Sequence, residues 1–211
     1  MSANNLSLTS LILAVIVLVA IYYWYEKRRT SPAEIAILAT LAALAGLGRV
    51  PFAAIPGFQP TTFLVLIFGH VFGPLAGFLV GSTAAFTSNF FLGQGPWTPW
   101  QMLAWGLAGV CGGLLYRRKK AFPRYLFTGV GFIWGFVFGW MLNFWHWVSF
   151  VYPLTLQSFL ATILAGVGFD FMHAFSNALF MLFLGPEVSV ILKRFKRRLT
   201  FYPLPENVVR K

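Results

Sequence analysis

Acidic residues are the scarcest polar feature of this chain: Asp and Glu number 5, against 16 Lys and Arg, in 211 residues. Asp170 is the only acid well inside an apolar run, so no second carboxylate stands beside it for paired acid/base chemistry. Cys111 is the single cysteine, which excludes an internal disulfide; in its Gly-rich apolar run it reads as a small packing residue. Two of the three histidines, His70 and His146, are isolated, and no metal-ligand set stands at a defined spacing. No Gly-rich phosphate loop ending in Lys-Ser/Thr is present, so the chain has no site of its own for hydrolysing ATP, and no cofactor of its own is expected.

Apolar residues fill the space that charge leaves. The chain is 58% hydrophobic and 18% aromatic, with a mean hydropathy of +0.74, which makes it an integral membrane protein. A crossing needs about 20 apolar residues, and only helices or a closed barrel satisfy the backbone within lipid. The runs are continuous rather than alternating, so the crossings are helical. A net charge of +11 would suggest nucleic acid in a soluble protein, but here the basic residues fall between apolar runs and act as topology signals.

Leu6 to Tyr25 forms a first crossing, ending in Tyr22, Tyr23, Trp24 and Tyr25 and followed by Lys27, Arg28 and Arg29. Positive charge after the apolar core, not before it, marks an uncleaved helix with its N-terminus outside. Ser31-Pro32-Ala33-Glu34 is a capping box opening a helix from Pro32 to about Leu47. Its small residues, among them Ala39 and Ala43, permit close approach of another helix, within this chain or from a partner. Val50 to Pro60 is a Pro-rich loop. Thr61 to Leu92 is too long for one crossing, and Gly73-Pro74 is its natural break. Splitting there also returns Arg117, Arg118, Lys119, Lys120 and Arg124 to the cytoplasm with the first basic cluster.

Further helices are expected from Trp100 to Tyr116, from Tyr125 to about Trp145, and from Leu156 to about Leu184. A short outer segment with His146, Trp147, Tyr152 and Pro153 precedes the last, and Gly185-Pro186 kinks or ends it. Lys193 to Arg198 hold the tail inside. The sum is seven crossings, N-out and C-in: an N-terminal helix and basic linker (1–30), a six-helix bundle (31–198) and a cytoplasmic tail (199–211). Arg49 is the one basic residue on the outer side.

Polar residues in membrane helices cost about 2.5 to 3.5 kcal/mol when ionisable, so each asks for a reason. Asp170, His173 and Asn177 share one face of the last helix at i, i+3 and i+7. They form either a structural cluster or the lining of a ligand cavity. The stretch Phe86 to Gln101, FTSNFFLGQGPWTPWQ, gathers Asn89, Gln94, Trp97 and Trp100 at one helix-to-helix handover. With Arg49, Gln59, Gln101, Asn143 and Trp147 it gives the outer side aromatic surfaces, amides and one guanidinium. That chemistry suits a bulky, flat, partly polar ligand, while membership of an interfacial aromatic belt is the plainer reading of each tryptophan.

The segments LAGLGRVPFAAIPGFQPTT, AGFLVGSTAAFTSNFFLGQGPWTPWQM and FDFMHAFSN resemble the substrate-binding S-components of energy-coupling factor (ECF) vitamin transporters, over about Ser31 to Arg198 and most closely those assigned to cobalamin. The resemblance implies a six-helix bundle that binds cobalamin or a related corrinoid outside, with haem or another vitamin as rival ligands. It implies partners too: a transmembrane T-component, docked through Ala39 and Ala43, and two cytoplasmic ATPases whose ATP hydrolysis drives toppling of the bundle in the bilayer. The first helix lies outside the usual six. The ligand would touch Arg49, Gln59, Asn89, Trp97, Trp100, Gln101, Asn143, Trp147, Asp170, His173 and Asn177. Two other classes stay open: a membrane-embedded enzyme using Asp170 and His173 as acid and base, and an assembly scaffold without a ligand.

Overall fold

The computed structural model describes residues 3–28, 30–116 and 122–200, and among them every regular element is helical. Seven α-helices follow one another: α1 (Ala3–Glu26), α2 (Pro32–Leu47), α3 (Thr61–Phe72), α4 (Pro74–Leu92), α5 (Thr98–Tyr116), α6 (Arg124–Phe150) and α7 (Leu156–Thr200), with a 3₁₀ turn at Val50–Phe52. Five segments are long and apolar enough to cross a membrane: α1, α2 with the turn, α4, α6 and α7. The chain is a multi-pass, all-helical membrane protein.

Local chemistry sets the boundaries. Ser31 caps α2 by accepting the Glu34 backbone N–H on its hydroxyl at 3.2 Å, with Pro32 at the first helical position. Gly73, at φ +104°, sits in a region that disfavours side chains, and Pro74 then opens α4, so α3 and α4 form a hairpin. At about 1.5 Å per residue the 12 residues of α3 span only about 18 Å. It is nonetheless the bundle's axis, buried from Thr61 to Val71. The loop before it closes one end of the bundle, its residues 57–60 half-buried and most of 51–56 exposed.

The centre closes through bare backbone contact. A Cβ on Gly109 would come within 2.7 Å of Gly77 Cα, and one on Gly77 within 2.7 Å of Gly69 Cα, so α3, α4 and α5 touch where three glycines meet. Around them Phe63, Leu66, Ile67, Phe68, Val80, Phe127 and Met181 fill the core. α6 and α7 form a second hairpin packed on this centre, and α1 lies against its outside.

Three boundaries differ from the sequence expectation. α6 runs on to Phe150, so His146 and Trp147 are helical rather than part of an outer segment. α5 begins at Thr98, two residues early, where Thr98 Oγ1 accepts the Gly95 N–H. α7 continues through Pro186 to Thr200, beyond both the expected stop near Leu184 and the start of the expected tail.

Charge gathers at one end of the bundle. Lys196 Nζ donates to Val71 O at the close of α3 at 2.6 Å, and Arg124 meets Glu187 at 4.0 Å. Lys27 and Arg28 close α1, each lying on an aromatic ring of its own helix, Tyr23 and Trp24. Arg29, the basic cluster at 117–120 and the tail residues 201–211 lie outside the described residues.

Candidate functional site

The other end of the bundle carries a polar network built from four elements. Arg49, just past α2, donates from Nε to Gln59 Oε1 at 2.8 Å and from Nη1 to Ser88 Oγ at 2.8 Å and Asn89 Oδ1 at 3.1 Å. Its guanidinium lies 4.8 Å over the ring of Trp105. Asn89 then donates from Nδ2 to Thr98 Oγ1 at 3.0 Å and Gln101 Oε1 at 2.8 Å, tying the end of α4 to the start of α5. The Gly93–Trp97 turn is fixed by Gln94, which donates to Phe86 O at 2.9 Å and accepts from Thr98 at 2.9 Å.

A second polar chain lies beneath. Trp105 Nε1 donates to Thr62 Oγ1 at 2.8 Å, and that hydroxyl stands 2.8 Å from His173 Nε2. Indole can only donate, so the Thr62 oxygen accepts from Trp105, while which of Thr62 and His173 donates to the other is set by the imidazole tautomer. Phe138 packs edge-on to His173 at 4.9 Å and against Trp105 at 4.6 Å. Arg49, Trp105, Thr62 and His173 thus form one continuous stack from the 49–60 loop to α7.

Two recesses open beside this stack. One, of about 280 Å³, is lined by Arg49, Gln59, Phe52, Phe58 and Leu92. The other, of about 520 Å³, lies between α6 and α7 and is lined by Asn143, His146, Ser158, Thr162, Gly166 and Phe169. Gly57, at φ +78°, separates them by passing directly over Phe169 and His173, where any Cβ would strike the α7 backbone. A larger groove of about 780 Å³ between α1 and the bundle is almost wholly apolar and lacks such convergence.

The structure joins four of the expected ligand residues, Arg49, Gln59, Asn89 and Gln101, in one hydrogen-bonded network. The rest are distributed. Asn143 lines the wider recess, its Nδ2 buried without a hydrogen-bond partner among the described residues. Trp147 braces that recess by donating to Ser158 Oγ at 2.9 Å. Trp97 and Trp100 pack towards Trp145 and Phe144 of α6. Asp170 lies against Gly139 and Asn177 donates to Gly131 O at 3.1 Å, so both meet α6, while His173 bridges Thr62 of α3 and Phe138 of α6. Asp170 and His173 have different neighbours and share no hydrogen bond, so they form no acid/base pair here. Ala39 is exposed and Ala43 half-buried, so the small-residue stripe of α2 faces outward in part.

Sequence reasoning missed Thr62, Ser88, Thr98 and Trp105. Hydroxyls in apolar helices ordinarily bond their own backbone, so nothing marked these three. Trp105 had a faint signal, four residues after Gln101 on the same helix face.

A family model described as "ECF-type riboflavin transporter, S component" matches residues 29–193. The chain belongs to this S-component family. The family is one of transport components, not of enzymes. The matched span leaves out α1 and covers the bundle from just before α2 into the last turns of α7. Among curated proteins, this S-component is 35% identical over 95 residues to a UPF0397 protein of Vibrio atlanticus (strain LGP32), covering 43% of this chain and 52% of the relative. UPF0397 proteins of Aliivibrio fischeri (strain MJ11) and Aliivibrio salmonicida (strain LFI1238) match at 35% over 89 residues, 40% of this chain and 48% of theirs. The chain spans about half the length of the curated relatives it matches. No solved structure matches it.

Proposed function

We propose that this S-component captures a vitamin at the end of the bundle bearing the Arg49 network, and that this end faces outward. The observation that carries the reading is the pair of recesses flanking Gly57, with Arg49 and Gln59 in one and Asn143 in the other. Sidedness follows from charge: the basic residues gather at the opposite end, which the positive-inside rule assigns to the cytoplasm. Uptake would use a transmembrane T-component, docked on the Ala39 and Ala43 face of α2, and two ATPases.

Two ligands are in play. The motifs of the sequence favour cobalamin or a related corrinoid, while the family description names riboflavin. The wider recess, of about 520 Å³, falls within the roughly 300 to 1,000 Å³ that holds drug-sized ligands, which supports the smaller flavin. Equilibrium titration of the purified protein with riboflavin, cobalamin, haem and other vitamins, read by tryptophan fluorescence, tests the reading. Saturable binding to one of them, weakened by Asn143→Leu, is expected. Failure of the whole panel to bind sinks the capture reading and leaves the assembly scaffold.

A further inference from the structure

Arg49 is held unlike a surface arginine. Its Nε and Nη1 are spent on Gln59, Ser88 and Asn89, its flat face rests on Trp105, and Asn89 is itself fixed by Thr98 and Gln101. A surface arginine keeps its long side chain mobile and its head in water. Here the side-chain entropy is already spent before a ligand arrives, which is the condition for tight recognition.

Every acceptor around it is neutral. Gln59, Ser88 and Asn89 orient the guanidinium without cancelling its charge, and the Arg124–Glu187 ion pair is at the other end of the bundle. Nη2 has no hydrogen-bond partner among the described residues, and the guanidinium lines the 280 Å³ recess. Because the Gln59 carbonyl is taken by Arg49, its amide NH₂ is left as a second donor in the same recess. Phe52 and Phe58, 5.7 Å apart, supply an apolar wall beside them.

We propose that the captured ligand carries a negatively charged oxygen group, a carboxylate or phosphate, which pairs with Arg49 at Nη2. This rests on the capture reading above. With Nε and Nη1 already engaged, Nη2 is left with two N–H donors on a guanidinium that stays charged and is held in one orientation, and charge-assisted hydrogen bonds to an anionic oxygen are the strong ones.

Ligand pairs that share a ring and differ in the phosphate test it: flavin mononucleotide against riboflavin, and cobinamide phosphate against cobinamide. For whichever ring binds, the wild-type protein prefers the phosphate-bearing member by about tenfold or more at low salt. Arg49→Gln abolishes the preference while retaining the neutral member, and Arg49→Lys keeps only part of it. Equal affinity for the two members, or an unchanged preference in Arg49→Gln, overturns the proposal while leaving capture intact. A second readout needs no vitamin. Inorganic phosphate, against chloride at matched ionic strength, raises the thermal midpoint of wild type and of Arg49→Lys but not of Arg49→Gln. No rise in wild type also overturns the proposal, whereas a rise without any vitamin binding counts against capture alone.

Discussion

Thr62→Val tests the buried stack with a substitution that changes shape very little. The Thr62 hydroxyl is fully buried and serves two partners, accepting from Trp105 Nε1 at 2.8 Å and sharing a hydrogen bond with His173 Nε2 at 2.8 Å. Valine fills the same space but leaves both partners unsatisfied, Trp105 fully buried and His173 4% exposed. An orphaned buried polar group costs about 1 to 3 kcal/mol, so the two together cost about 2 to 6 kcal/mol. Thr62→Ser keeps the hydroxyl and loses one methyl, a loss of about 1 kcal/mol. Scanning fluorimetry in detergent should therefore show a midpoint for Val several degrees below that for Ser. Vitamin affinity should fall with it, because Trp105 is the platform under Arg49. Equal midpoints for Val and Ser would refute the two-partner reasoning, since the methyl alone distinguishes them in the opposite direction.

Three further outcomes follow from contacts on the page. Gly109→Ala drives a methyl into the α4 backbone at Gly77, an overpacking worth about 1 to 3 kcal/mol, whereas Gly129→Ala enters open space and leaves the thermal midpoint unchanged or slightly higher. Gly139→Ala pushes a methyl against the Asp170 carboxylate, and adding Asp170→Ala restores part of the loss; a double-mutant cycle should give a coupling of about 0.5 to 3 kcal/mol, and strict additivity would remove Asp170 from that contact. Asn89→Leu removes one acceptor from Arg49 and two donors to Thr98 and Gln101, so titration should show vitamin affinity lowered by about tenfold or more, with the loss confined to ligands that use Arg49.

Much of the fold was legible because membrane helices announce themselves by run length. Ser31-Pro32 and Gly73-Pro74 fixed two boundaries through elementary backbone chemistry, and both stand in the structure. The ends of α6 and α7 were not legible for the same reason: hydropathy measures the bilayer, and a helix can continue past it through His146, Trp147 and Pro186. At the site, topology alone brought Arg49, Gln59, Asn89 and Gln101 to one end, but their hydrogen bonds depend on how a loop and three helices converge. The Asp170, His173 and Asn177 face was too coarse. At 100° per residue, Asp170 and Asn177 differ by only about 20° and both meet α6, while His173 is turned about 60° from Asp170 and about 40° from Asn177, enough for its Nε2 to reach Thr62 of α3 while its ring still packs on Phe138 of α6.

α1 is attached to the bundle differently from the other helices. In lipid no hydrophobic force drives helix against helix, so attachment rests on packing and polar contacts. α1 buries little beyond Ala14 and Leu18. Its polar ties to the bundle are Ser7 to Ser149 at 3.0 Å, and Tyr22, whose hydroxyl lies 2.8 Å from Ser82 and 2.7 Å from Thr83. Interhelical hydrogen bonds in membranes average about 0.6 kcal/mol and reach about 2, so these ties sum to a few kcal/mol at most. α3, α4 and α5 are joined instead by direct backbone packing where Gly69, Gly77 and Gly109 meet. The groove left between α1 and α5, running from Val15 to Arg28, is filled by no side chain of the described chain. α1 is therefore held to the rest of the bundle chiefly through Tyr22 and Ser7.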